Sequence, residues 1–185
     1  MHFAFCIFPS LVFLDTQEYN RAKGAIATIN TTLCYITRGD DVLMLHRIKK
    51  QKDINKDKWI GVGGKFEGQE SPDECLLREV WEETGLQPTS WKCRGIVTFL
   101  TENDGQTFGE YMYLFTADGF TGELKECPEG KLEWISRAQL DSLPKWEGDR
   151  IFLELLWQDA PFFLLTLRYQ GDRLTQAVLD GKKIR

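Results

Sequence analysis

The punctuation around residues 71–85 constrains this chain more than any other stretch. Ser71 is a good N-cap, Pro72 suits the first helical position, and Glu74 completes an S-x-x-E capping box. Gly85 is the residue expected just past a helix C-terminus. The spacing predicts a helix over residues 72–83. On a wheel of about 100° per residue, Leu76, Leu77, Val80 and Trp81 form the expected core face, an arc of about 140°. Glu79, Glu82 and Glu83 fall on the other side, with i,i+3 and i,i+4 spacings that set their carboxylates side by side. Like charges so placed destabilise a helix by roughly 0.2–0.5 kcal/mol per pair. They also sit at its C-terminal end, where the dipole disfavours negative charge. A divalent cation would turn that repulsion into ligation; a solvated acidic face is the alternative.

Around this helix the chain alternates strands and turns. Ala25 to Thr37, rich in β-branched residues, reads as a strand, Arg38-Gly39-Asp40-Asp41 as a turn and Val42 to Arg47 as the return strand. Gln51 to Lys58 is a polar loop, and Trp59 to Lys65 a short strand entering a glycine-rich bend. Trp91 to Thr101 and Thr107 to Ala117 are strands around an Asn103-Asp104-Gly105 turn. Lys131 to Ile135 is another strand, and Ser136-Arg137-Ala138-Gln139 resembles a second capping box. Gly148 to Gln158 is apolar at helical spacing; Phe162 to Arg168 and Leu174 to Leu179 form a last hairpin around Gln170-Gly171-Asp172. The expected architecture is mixed α/β (α+β), a mixed sheet between helices, with residues 25–185 as one domain and 1–24 as an N-terminal extension of unassigned role.

Composition removes several functions. A net charge of −5 leaves no basic stripe for duplex nucleic acid. The one dense basic run, Arg47-Ile48-Lys49-Lys50-Gln51-Lys52, is short enough to be a solvated loop face or a polyphosphate contact. Five cysteines, Cys6, Cys34, Cys75, Cys93 and Cys127, are scattered without a CxxC pair, which fits a reducing cytoplasm. With two histidines only, His2 and His46, any metal is held by oxygen, pointing to Mg²⁺ or Mn²⁺. The apolar run Phe3 to Leu14 is shorter than the ~20 residues a membrane helix needs and lacks a basic n-region. An extra strand, or a start upstream of the true one, is the expectation there. No membrane partner is expected, and the assembly state is a monomer or homodimer.

The segment from Gly64 to Leu86 resembles the Nudix box, G-x5-E-x7-R-E-U-x-E-E-x-G-U, with U a bulky aliphatic residue. Gly64, Glu70, Arg78, Glu79, Val80, Glu82, Glu83, Gly85 and Leu86 all fall on the pattern. The resemblance implies hydrolysis of a nucleoside diphosphate linked to a further group, by water with bound Mg²⁺ or Mn²⁺. It implies Glu79, Glu82, Glu83 and the Gly63 carbonyl as metal ligands, Arg78 as the residue that orients the box carboxylates, and Glu70 as a support of the loop. Cations would neutralise the polyphosphate and lower the pKa of a bound water, and a carboxylate, Glu79 first and then Glu82, would take its proton. Glu129, in Pro128-Glu129-Gly130, occupies the place from which family enzymes recruit one more acid.

Over about residues 28–180 the chain is similar to the MutT-type branch, the 8-oxo-dGTP diphosphatases. The likeness includes Leu43 to Arg47, Lys58 to Lys65 and Leu143 to Asp149. It implies a base stacked on Trp146 and read by Asp149, with Glu147 as the alternative acid. Thr32, Arg47, Gly64 and Lys65 are the further nucleotide contacts it implies. Mammalian members carry a base-contacting asparagine at the position of Ile60, so base readout here must differ. The expected activity is removal of an oxidised purine triphosphate from the nucleotide pool, as monophosphate plus pyrophosphate. ADP-ribose or dinucleoside polyphosphate hydrolysis, and a silent nucleotide-binding regulator, are the alternatives.

Overall fold

The computed structural model describes residues 27–50, 53–103 and 106–185. The N-terminal extension, Cys6 and residues 51–52 lie outside them, as does most of the Asn103-Asp104-Gly105 turn. The described elements are β1 (Ala27–Arg38), β2 (Asp41–His46), β3 (Trp59–Ile60), α1 (Pro72–Thr84), β4 (Leu86–Asn103), β5 (Gln106–Gly122), β6 (Lys131–Ser136), α2 (Asp149–Trp157), β7 (Phe163–Gln170), β8 (Arg173–Leu179) and β9 (Lys182–Lys183). A 3-10 helix, Arg137–Ser142, joins β6 to α2.

Along the main path the sheet order is β3-β2-β1-β5-β4-β7-β8-β9, with β6 paired to β2. Two junctions are parallel, β1 with β5 and β4 with β7; the other pairings are antiparallel. This is the expected mixed sheet, and its alternation explains its two cores. Leu33 and Tyr35 of β1 face α2, packed with Phe152, Leu153 and Leu156. Cys34 and Ile36, one step out of phase, face α1, packed with Leu76 and Val80. Both faces of the middle of β1 are thus buried, which is why Leu33 to Ile36 is apolar without alternation.

The structure departs from the sequence reading in three places. β4 and β5 run through Leu86–Asn103 and Gln106–Gly122, several residues beyond the expected strands, because register shifts at Pro88/Ser90, Ser90/Trp91 and Cys93/Gly95 let pairing continue. Ser136 makes no side-chain cap, and a 3-10 turn forms there instead of a capped α-helix. On α1, Trp81 is exposed and Leu77 only half-buried, whereas Cys75, Leu76, Val80, Glu83 and Thr84 are buried. Glu83 lies seven residues from Leu76, two turns on, and therefore on the same stripe. The three acids do not share one solvent face.

Candidate active site

The punctuation of α1 is realised in full. Ser71 accepts from the Glu74 amide, the Glu74 carboxylate accepts from the Ser71 amide, and Gly85 sits left-handed at φ 76°. Fixed ends fix the helix phase, and the phase aims Glu79 and Glu83 beneath the glycine bend. That bend runs as an extra strand against β1: Thr32 N–H donates to the Gly64 carbonyl at 2.8 Å and Cys34 N–H to that of Val62 at 2.7 Å. A Cβ on Gly63 would overlap the Thr32 carbonyl, and one on Gly64 would overlap the Glu79 carboxylate. Only glycine lets this backbone lie against both.

Each box residue has a defined place. Glu83 is 5% exposed and accepts a hydrogen bond from Gly63 N–H at 3.0 Å. Burial pushes its carboxyl up to about 7, against that hydrogen bond, with the Glu79 charge adding to the rise. Burial also raises Glu79, against the attraction of Arg78. Arg78 grips Glu70 with two parallel bonds, Nε to Oε2 at 3.0 Å and Nη2 to Oε1 at 2.7 Å. The same guanidinium donates to Glu79 at 2.9 Å, to Glu82 at 3.3 Å and to the Lys65 carbonyl at 3.0 Å. This hold from Arg78 drops the Glu70 carboxyl to about 2. Arg78 thus orients the acids, and Glu70 anchors Arg78 while accepting from the Glu67 amide.

Among the described residues no three acid, thiol or imidazole groups stand together as a finished metal cage. Glu79 and Glu82 are turned to Arg78 and Glu83 to Gly63. The donors nonetheless fit a hard divalent cation. They are all oxygen, and two are carboxylates held out of water with no cation other than Arg78 bonded to them. Glu82 stands more exposed, at the rim. Glu129 enters from the loop before β6 and is ion-paired to Arg47 and Lys50. Arg47 also donates to Asp53 at 2.8 Å, so its guanidinium is committed to two acids and braces the 53–58 loop against Glu129.

All this opens onto one cleft of about 750 Å³. Of the expected site residues, Thr32, Arg47, Gly63, Gly64, Lys65, Glu79, Glu83, Glu129, Trp146 and Asp149 line it. Arg78 and Glu82 do not. Trp146 is held on three sides: its indole N–H donates to Asn55 Oδ1 at 2.7 Å, Lys58 Nζ lies 4.1 Å over its ring, and Tyr169 meets it edge-on at 5.6 Å. Asp149 is 4% exposed, and burial pushes its carboxyl up to about 7, against a backbone hydrogen bond at Trp146. Ile60 lines the same cleft as an apolar wall. Glu147, the alternative acid, points away and pairs with Arg185.

Asn55 and Glu110 are among the cleft residues that escaped the sequence reading. Asn55 sits in a polar loop with no signal to single it out. Glu110 had one: it stands in phase with Met112 and Leu114, on the inward face of a strand.

Comparison with known proteins gives the family and the fold. The NUDIX domain family model matches residues 28–156. The chain is 32% identical over 157 residues to the uncharacterized Nudix hydrolase YvcI of Bacillus subtilis (strain 168), covering 83% of this chain and 96% of that protein. It is 29% identical over 132 residues to the oxidized purine nucleoside triphosphate hydrolase of Danio rerio, covering 71% of this chain and 83% of that one. The solved MutT protein from Bacillus halodurans superposes with a TM-score of 0.73 at 30% identity, over 82% of this chain and 97% of that one. The two-cored mixed sheet, the pinned box helix and these matches place the chain in one family: it belongs to the NUDIX domain family, as a MutT-type Nudix hydrolase.

Proposed function

We propose that the protein is a divalent-cation-dependent nucleoside triphosphate pyrophosphohydrolase whose preferred substrate is an oxidised purine nucleotide, 8-oxo-dGTP. The observation that carries this reading is a single cleft whose lining joins the carboxylates of Glu79 and Glu83 and the glycine bend to a fixed indole and the buried acid Asp149. A triphosphate and its base need both sets of groups at once. The 29% identity to an oxidized purine nucleoside triphosphate hydrolase supports the same substrate class.

Glu79, Glu82, Glu83 and the Gly63 carbonyl are the groups that would hold Mg²⁺ or Mn²⁺, with Glu129 as a further acid from the facing loop. When bound, the cation neutralises polyphosphate charge and makes water a better nucleophile. Glu79 Oε1 is taken by Arg78, which leaves Oε2 to accept the proton of the attacking water. Water adds to phosphorus, the P–O–P bond breaks, and pyrophosphate leaves with the bond's electron pair. Arg78 holds the acids in place, while Gly64 and Lys65 let the phosphates approach the bend. A base would stack on Trp146 by displacing Lys58 Nζ from over the ring, onto a surface worth roughly 1–3 kcal/mol, and Asp149 would meet the purine edge. Arg47 contacts the phosphates only if it lets go of Asp53 or Glu129; braced as it is, it positions Glu129. Thr32 supports the floor through its contact with Cys75 at 3.5 Å.

The test is a pyrophosphate-release assay over a nucleotide panel, with and without Mg²⁺ and with a chelator. Glu79→Gln and Glu83→Gln are expected to fold and to lose on the order of 10²–10⁴-fold in kcat. Normal turnover by both variants would overturn the roles of these acids. A higher kcat/KM for ADP-ribose than for 8-oxo-dGTP would overturn the substrate. Nucleotide binding without turnover would leave a regulator rather than an enzyme.

A further inference from the structure

The cleft takes an apolar lining from Ile29, Leu33, Ile60, Phe99 and Met112. Yet besides Glu79, Glu83, Glu129 and Asp53 it also takes two carboxyl groups, from Asp149 and Glu110. Asp149 comes from the first turn of α2 and Glu110 from β5. An acid on the inward face of a strand needs a reason, because burying a carboxyl without partners is costly. Glu110 has one partner only among the described hydrogen bonds: Thr31 Oγ1 donates to its Oε1 at 2.7 Å. That bond fixes the carboxyl and leaves Oε2 uncommitted. Burial raises the Glu110 carboxyl, opposed by the Thr31 hydrogen bond and by Lys65. Glu110 and Asp149 line the same cleft.

Resting on the pyrophosphohydrolase reading above, we infer that Glu110 is a specificity-determining residue: the oxygen it holds toward the cleft accepts from the Watson–Crick edge of a guanine-type base. That edge carries adjacent donors, N1–H and the 2-amino group. An adenine-type edge places an acceptor, N1, beside one donor, and would set a lone pair against the carboxylate. Hypoxanthine keeps N1–H and lacks the 2-amino group. Glu110 therefore takes up the discrimination that Ile60 cannot provide and that Glu147, turned out to Arg185, does not. Two acids from separate elements read one edge, Asp149 fixed beside the indole and Glu110 fixed by Thr31.

The experiment measures binding of dGMP, dIMP and dAMP to the metal-free full chain by indole fluorescence, for the wild type, Glu110→Gln and Thr31→Val. Metal-free binding of monophosphates separates base readout from turnover. The wild type is expected to rank dGMP, then dIMP, then dAMP. In Glu110→Gln the amide keeps an acceptor for Thr31 and puts a donor where the carboxylate was. Its dGMP-over-dAMP preference is expected to fall by on the order of tenfold or more. Thr31→Val, which leaves the carboxyl in place but unanchored, is expected to fall part of the way. If both variants weaken all three nucleotides equally, or change none, Glu110 is not a reader of the base, while pyrophosphate release by the wild type would still uphold the function above. If the wild type neither binds these nucleotides nor hydrolyses any triphosphate, both readings fall together.

Discussion

Gly64 leaves room for a hydrogen atom and nothing more against the Glu79 carboxylate. Gly64→Ala must therefore move a flexible side chain rather than a backbone. It is expected to fold, shown by an unchanged far-UV spectrum, and to lose at least about tenfold in kcat, because misplacing a reacting group by about 1 Å can cost on the order of 10²-fold. Gly63→Ala meets the Thr32 carbonyl, a backbone atom, and is expected to lose stability as well. At this scale the sequence showed the acids and glycines because their chemistry is written in residue type and spacing. It misplaced Glu83 because an acid on an apolar stripe looks like a surface residue until something, here Gly63 N–H, is seen to face it. Asn55 could not be seen, since its role depends on a loop passing Trp146, 91 residues further along.

The element that most shapes the site is α1, and its ends decide its phase. Ser71→Ala removes one half of the capping box; the expected loss is about 1 kcal/mol, or roughly 2–4 °C in Tm for a chain of this size. Activity per folded molecule should hardly change, because the acids lie two turns away. The 53–58 loop is tied at two points, by Arg47 to Asp53 and by Trp146 to Asn55. Asn55→Ala frees the indole, and the loss of one part-buried hydrogen bond of roughly 1 kcal/mol is expected to raise KM several-fold with kcat nearly unchanged in steady-state assays. Helix α1 was legible from its caps and the sheet from its alternation. The lengths of β4 and β5 were not, because the register shifts that extend them involve the paired strand as much as the sequence itself. The 3-10 turn after β6 shows the limit of a local motif: Ser136 has the residues of a capping box and lacks the geometry.

Taken as a whole, the molecule keeps buried acids, Glu83 and Asp149, in the lining of its cleft, and its stability should follow pH accordingly. Asp149 is raised from 3.8 to about 7, chiefly by burial. A raised acid contributes stability that is full below its unfolded value and is lost as pH climbs through its folded one, so this contribution fades between about pH 4 and 7. Glu70 works in the opposite sense: held down to about 2 by Arg78, it stabilises above its ordinary value of 4.5 and that contribution is lost as pH falls toward 2. Thermal melts are expected to peak in mildly acidic buffer, and Asp149→Asn is expected to make the decline between about pH 4 and 7 shallower without abolishing it, since Glu83, also raised to about 7 by burial, contributes to the same fall. A variant whose melting curve still falls as steeply would show that Asp149 is not its source. The parallel pairing of β1 with β5 carries a consequence for how the chain is made. Strand β1 finds its neighbour about 80 residues later, with Ala27 opposite Phe108 and Ile36 opposite Ala117. On the ribosome, the segment bearing all the box acids emerges well before that neighbour does. At about 5–20 residues per second of synthesis, β1 waits several seconds with an unsatisfied edge. Closure of so distant a pairing is slow, so nascent chains stalled before residue 122 should be protease-sensitive and prone to associate through that edge.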